Sequence, residues 1–257
     1  MLKTRIIPVL LIRNNLLYKS VKFKNHLYIG DPLNTLKIFN EKEVDEIVVL
    51  DTLATLKNEE PDYSLIKLLA SECFMPLAYG GGINSINQIE KIFKLGVEKV
   101  ILNTIIIKNP NLVKEAKKEF GSQSIVASVD IGQNLFKKKF VYIESGRKKT
   151  NFRPIEYAKY LEELGAGEII LNAIYKDGMM SGYDVELIKS VVNAVSIPVV
   201  ALGGAGDIQH FKTTLENCQV SGLAAGSMFV FHGPNKAVLI NMPERKILEK
   251  ILFKNNI

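Results

Sequence analysis

Cysteine is nearly absent from the 257 residues. Cys73 and Cys218 are too few for a disulfide framework and fit no CxxC metal spacing, which points to a reducing, cytoplasmic compartment. Long apolar runs are missing too: nothing approaches the roughly 18 residues that a membrane span needs, so no membrane role is expected. The opening MLKTRIIPVLLIRNN is basic and then apolar, but its apolar core is short and no small-residue cleavage site follows. It reads as a buried strand rather than a signal peptide. His26, His210 and His232 share no metal-ligand spacing and read as surface or loop residues, so neither a metal nor another cofactor is expected. Strong charge is lacking as well, with a net +6 from 33 basic and 27 acidic residues. The basic groups at 22–24, 137–139 and 147–149 are short, and aromatics do not interleave with them in the way a stacking surface for single strands needs. That argues against a nucleic-acid surface and for solvated loops with a mild bias toward anionic ligands.

What is present is apolar substance, 47% of the chain, distributed in a repeating pattern. Short β-branched runs at 6–11, 47–52, 76–79, 99–102, 125–130, 168–173, 198–202 and 222–225 alternate with segments of helical period. The runs are apolar on both faces, as strands covered by helices must be. Ser85 and Gln88 have the spacing of a capping box, with Ile86, Ile89, Ile92 and Phe93 as the buried stripe behind them. Asp184 can cap a helix carrying Val185, Ile188, Val191 and Val195, and 243–254 reads as a closing helix. Eight strand–helix units in about 250 residues favour one (β/α)8 TIM barrel over an open sheet. The chain also matches itself. DEIVVL at 45–50 resembles GEIIL at 167–171, and Gly81-Gly82 resembles Gly203-Gly204, both at an offset of 122 residues. Two duplicated half-barrels, about 1–122 and 123–257, would produce this.

In such a barrel the chemistry lies where strands end. Those ends are rich in glycine: Gly80-Gly81-Gly82 after the third run, Gly203-Gly204 after the seventh and Gly226-Ser227 after the eighth, with Asn103-Thr104 after the fourth. Such loops either only make tight turns or let backbone N–H groups and helix N-termini hold anions. Their occurrence in both halves favours a ligand with two separated phosphates. Asp51, Asp130 and Asp177 are the candidate acid–base groups. Asp130 ends the apolar run IVASV, where desolvation would raise its pKa toward neutrality, unless it merely caps a helix. Asp177 sits in the turn-forming KDGMMSG, and Lys19 could reach a substrate phosphate.

The ordered stretches RIIP (5–8), GDP (30–32), GGGI (80–83), FGSQ (120–123), GAGE (165–168), DG–SGY (177–183) and GGAG (203–206) carry a resemblance over essentially the whole chain. It resembles the cyclase subunit (HisF) of imidazole glycerol phosphate synthase. The resemblance implies a heterodimer with a glutaminase docked at the N-terminal barrel face, and ammonia passing through the barrel to a phosphorylated small molecule at the C-terminal face. It implies Asp130 as one of two catalytic aspartates and substrate or phosphate contacts at Lys19, Asp51, Gly81, Gly82, Asn103, Thr104, Asp177, Gly178, Gly203, Gly204, Gly226 and Ser227. It also implies a ring of charges at the ammonia entrance, here Arg5, Glu46, Lys99 and Glu168. The departures are concentrated at the reaction end. Leu11 stands where the family has its other aspartate, Ala78, Ala173 and Leu202 stand at polar substrate-contact positions, and RNNLL (13–17) lacks the usual Asp-Gly turn. Three readings follow: a diverged paralogue delivering ammonia to another acceptor, as in amidino-sugar formation for surface polysaccharide; the histidine-pathway cyclase with unusual residues; or a catalytically silent barrel that binds a partner.

Overall fold

The computed structural model describes residues 4–233 and 235–252. Eight parallel strands form its barrel: β1 (Arg5–Arg13), β2 (Ile47–Asp51), β3 (Leu77–Gly80), β4 (Lys99–Leu102), β5 (Ile125–Gln133), β6 (Glu168–Ala173), β7 (Val199–Leu202) and β8 (Gly222–Ala225). Each pairs with the next, and β8 returns to β1 with Arg5 opposite Gly222 and Pro8 opposite Ala225, closing the sheet. The single (β/α)8 barrel expected from the alternation is therefore the fold. All eight strand runs are found, their ends shifted by a few residues at most.

Period-two alternation explains why both faces are apolar. Ile7, Val9, Val48, Ala78, Ile101, Val126, Ile170, Val200, Leu202 and Ala224 fill the lumen. Their neighbours, such as Ile6, Leu10, Ile47, Val49 and Leu171, pack outward beneath the helices. Side-chain caps set several helix starts. Asp31, Asp62, Asp184 and Asp207 accept from the backbone N–H three residues on, at 2.8, 2.9, 2.9 and 3.1 Å. Ser85 caps Ile86–Lys94, but the return bond of Gln88 goes to the N–H of Asn84 rather than to Ser85. The helix begun by Asp184 ends at Val192, leaving Val195 beyond it. The closing helix is Arg245–Leu252; the remainder of the expected span lies outside the described residues.

Two features went unread in the sequence, and both matter for the site. β1 continues into an antiparallel hairpin, Leu16–Val21 with Lys24–Gly30, and β5 pairs antiparallel with Lys139–Ile143, which forms a second hairpin with Lys148–Lys149. Asn14 and Asn15, at φ 48 and 62°, make the first tight turn. Asparagine tolerates the left-handed region, so the missing Asp-Gly pair costs this turn little. Lys22-Phe23 at the next tip (φ 53 and 61°) and Glu144-Ser145 at the turn between Lys139–Ile143 and Lys148–Lys149 (φ 55 and 54°) are less suited to it, and each costs of order 1 kcal/mol. Both strained tips lean over the same end of the barrel.

Candidate active site at the C-terminal rim

A cavity of about 160 Å³ opens among the strand C-termini, with Val9, Leu50, Ile101 and Leu202 among its lining residues. Asp130 hangs into it from β5, 8% exposed. Asn103 and Asn172 donate to its two oxygens at 3.1 and 3.3 Å. Burial pushes the Asp130 carboxyl up to about 7, and the charge of Asp177 adds to this while the two amides oppose it. An acid tuned to neutrality in a walled cavity is suited to proton transfer. Leu11 lines the same space from β1 and has no proton to give.

The polar residues expected from sequence fall into distinct roles. Lys19 lies on the first hairpin, buried, with its ammonium donating to the carbonyl of Val9 and resting on Gly226. Burial lowers it to about 8, partly opposed by Asp177. Asp177 accepts from Ser20 Oγ at 3.2 Å; burial raises its pKa, opposed by Lys19 and that hydrogen bond. Asp51 faces the cavity but spends Oδ1 on the N–H groups of Leu53 and Ala54, at 2.8 and 3.1 Å. Gly81, Gly82, Asn103 and Thr104 line one pole. Gly82 sits at φ 72°, and a Cβ there would lie 2.7 Å from the Glu59 carbonyl, so only glycine fits. Gly226 and Ser227 line the cavity too. Gly203 and Gly204 share the rim but not the cavity: the loop 177–183 covers them, with Gly182 N–H donating to Gly204 O at 2.8 Å. Gly178 belongs to that loop and backs onto Ser20 of the hairpin. The two glycine pairs are thus not equally open.

Residues missed in the sequence complete the site. Asn172, rather than Ala173, is the β6 residue at the cavity; Ala173 packs outward against the helices. Asn172 Oδ1 is the buried side-chain oxygen without a partner among the described residues. The available signal was an amide one residue before the end of an otherwise apolar strand. Arg13, Phe23, His26 and Arg147 reach the cavity mouth from the hairpins. His26, expected at the surface, is exposed but overlies this mouth. Partial burial lowers its pKa, and the charges of Arg13 and Arg147 lower it further. Among the described residues, no group of three or more His, Cys, Asp or Glu side chains is placed to hold a metal ion.

At the opposite end, four side chains expected to form a ring do so. Arg5 donates to both Glu46 and Glu168. Lys99 Nζ reaches Glu46 at 2.9 and 3.0 Å and Glu168 at 2.9 Å. Burial works to raise Glu168, yet the hydrogen bonds and charges of Arg5 and Lys99 outweigh it and hold this carboxyl below its usual range. The ring closes the lumen's N-terminal mouth by pairing with itself, and apolar side chains fill the barrel above it.

A family model described as "Histidine biosynthesis protein" matches residues 5–234. The chain belongs to the HisF family. A Leptospira interrogans protein, provisionally named imidazole glycerol phosphate synthase subunit HisF, is 46% identical over 254 residues, 98% of this chain and all of that protein. A Pseudomonas aeruginosa protein, provisionally named subunit hisF2 of the same synthase, is 47% identical over 244 residues, 95% of this chain and 97% of its own length. A Streptococcus mutans protein named subunit HisF without that qualification is 37% identical over 229 residues, 89% and 91% of the two chains. This HisF-family barrel has no helix, among the described residues, long and apolar enough to cross a membrane.

Proposed function

We propose that this chain is the synthase subunit of a glutamine amidotransferase complex. It takes ammonia from a glutaminase docked over the N-terminal face and delivers it to a phosphorylated acceptor at the C-terminal cavity. Arg5, Glu46, Lys99 and Glu168 form the ammonia gate, and the barrel lumen is the route. The observation that carries the reading is the contrast between the barrel's two ends: a complete, self-paired ring below and a cavity above in which Asp130 faces Leu11. An apolar lumen suits neutral ammonia and excludes ammonium, whose desolvation would be prohibitive. Asp130, near neutrality, supplies one proton-transfer group. With no second group on β1, the histidine-pathway ring closure should be slowed roughly 10²–10⁴-fold.

The acceptor is therefore a different one, and amidino-sugar formation for surface polysaccharide is the reading we adopt. Identity of 46–47% to the provisionally named proteins, against 37% to the Streptococcus mutans protein, supports placing this chain in a separate branch. Matched positive-φ pairs, Gly81-Gly82 and Gly203-Gly204, support descent from two duplicated half-barrels. One observation favours the ordinary cyclase instead: Asp130 retains an environment fit for proton transfer. Expression in a strain lacking the histidine cyclase separates the two. Failure to restore growth without histidine, where the Streptococcus mutans protein restores it, supports the separate acceptor; restored growth overturns it.

A further inference from the structure

The two hairpins bring an uncommitted basic cluster to one side of the cavity mouth. Arg13 ends β1, Arg147 lies on the turn between Lys139–Ile143 and Lys148–Lys149, and His26 comes from the first hairpin. The turn that carries Arg147 is fastened over the pole lined by Gly81, Gly82, Asn103 and Thr104. Glu144 N–H donates to Thr104 Oγ1 at 2.9 Å, and Ser145 Oγ donates to the carbonyl of Thr52 at 3.0 Å. Phe23 packs against Gly146 and joins the two hairpin tips.

What distinguishes this cluster is the absence of counter-charge. Among the described residues neither guanidinium has a carboxylate partner; Arg13 has only the ring of Tyr18, 6.0 Å away. The carboxylates that line the cavity are each engaged by donors elsewhere: Asp51 by backbone N–H groups, Asp130 by two amides, Asp177 by Ser20. The cavity is thus polarised, acidic groups with partners within and free guanidinium forks at its mouth. A single phosphate can be met by the glycine and Asn103-Thr104 pole alone. Two planar forks beside it suit a further anionic group one bond beyond.

We propose that Arg13 and Arg147 form the outer half of a diphosphate-binding subsite, whose inner half is the Gly81-Gly82-Asn103-Thr104 pole, so that the acceptor is an organic diphosphate rather than a monoester. The proposal deepens the acceptor reading above and rests on it. Its test needs neither glutaminase nor ammonia, so the two can fail separately.

The probes are inorganic pyrophosphate and inorganic phosphate, titrated calorimetrically against the full chain at equal ionic strength. Pyrophosphate is expected to bind at least tenfold more tightly than phosphate. Arg13→Gln and Arg147→Gln should each weaken pyrophosphate about tenfold, consistent with one charge-assisted contact, and leave phosphate within about twofold. Arg147→Lys, which keeps the charge but not the fork, should fall between wild type and Arg147→Gln. Thermal unfolding checks that each variant is folded, and exposed Arg147 is the position where this is expected without compensation. Equal affinity for the two anions, pyrophosphate binding indifferent to both glutamine substitutions, or no binding of either anion overturns the subsite.

Discussion

Lys99→Met removes one of two cations from the ring while keeping a side chain of similar length. Glu46 and Glu168 are 4% and 5% exposed, and each then retains only Arg5 as a cationic partner. Stripping a partner from a buried ion pair costs roughly 3–5 kcal/mol. Lys99 and Arg5 keep 19% and 25% of their side chains in contact with water. Solvent screening brings the expectation down to about 2–3 kcal/mol. In a protein of this size that corresponds to a Tm lowered by roughly 5 °C or more. The pH dependence identifies the cause. Glu168 is held below its unfolded value by Arg5 and Lys99, so its contribution is present above about pH 4.3 and is lost as pH falls through the folded value. The deficit of the variant, measured by urea unfolding, should be largest near pH 7 and shrink below about pH 4. An equal deficit at both pH values would mean lost packing rather than lost charge, and the ring would not be an electrostatic closure.

Asp130→Asn should remove a destabilisation that enters as pH rises from about 4 to about 7, since this carboxyl is charged less readily in the folded chain. The variant therefore gains on wild type with rising pH in urea titrations, and a constant difference would sink that assignment. Leu11→Asp returns a carboxylate to β1, yet growth of a histidine-cyclase-deficient strain should not recover fully, because Ala78 and Leu202 still line the barrel with apolar surface. Gly204→Ala places a methyl group 2.3 Å from the Gly182 carbonyl at φ 117°, so a loss of roughly 2–4 kcal/mol is expected in thermal or urea unfolding. A neutral outcome would show that the loop 177–183 yields freely.

The barrel was legible because burial on both faces writes continuous apolar runs into every strand, and helix-capping aspartates punctuate the segments between them. The hairpins were not. Lys24–Gly30 is largely exposed and groups its polar residues (KNH) apart from its apolar ones (LYI), so it carries no alternating apolar signal, and the hairpin's turns use Asn14-Asn15 and Lys22-Phe23 without a glycine. Strand-end site residues such as Asp130, Asn103 and Thr104 could be named from position alone. Arg13, Phe23, His26 and Arg147 meet only because the tips of two hairpins far apart in sequence pack together, which no local pattern encodes. Confusing Ala173 with Asn172 is a one-residue error, and in a strand one residue exchanges the cavity for the helix layer. Gly203-Gly204 was read as the twin of Gly81-Gly82; the difference lies in a covering loop, not in the glycines.

A glutaminase that feeds this barrel from its N-terminal face must cover the charged ring. Hydrogen exchange of the chain, alone and with the glutaminase encoded in the same genome, would show that contact. A specific complex should bury on the order of 1,200–2,000 Å² in total. Protection is expected around Arg5, Lys99 and Glu168, at the N-terminal ends of β1, β4 and β6, and around Glu46 just before β2, with the hairpins over the cavity unchanged. No complex, or protection confined to the hairpins and the C-terminal rim, would mean that ammonia does not enter through the ring.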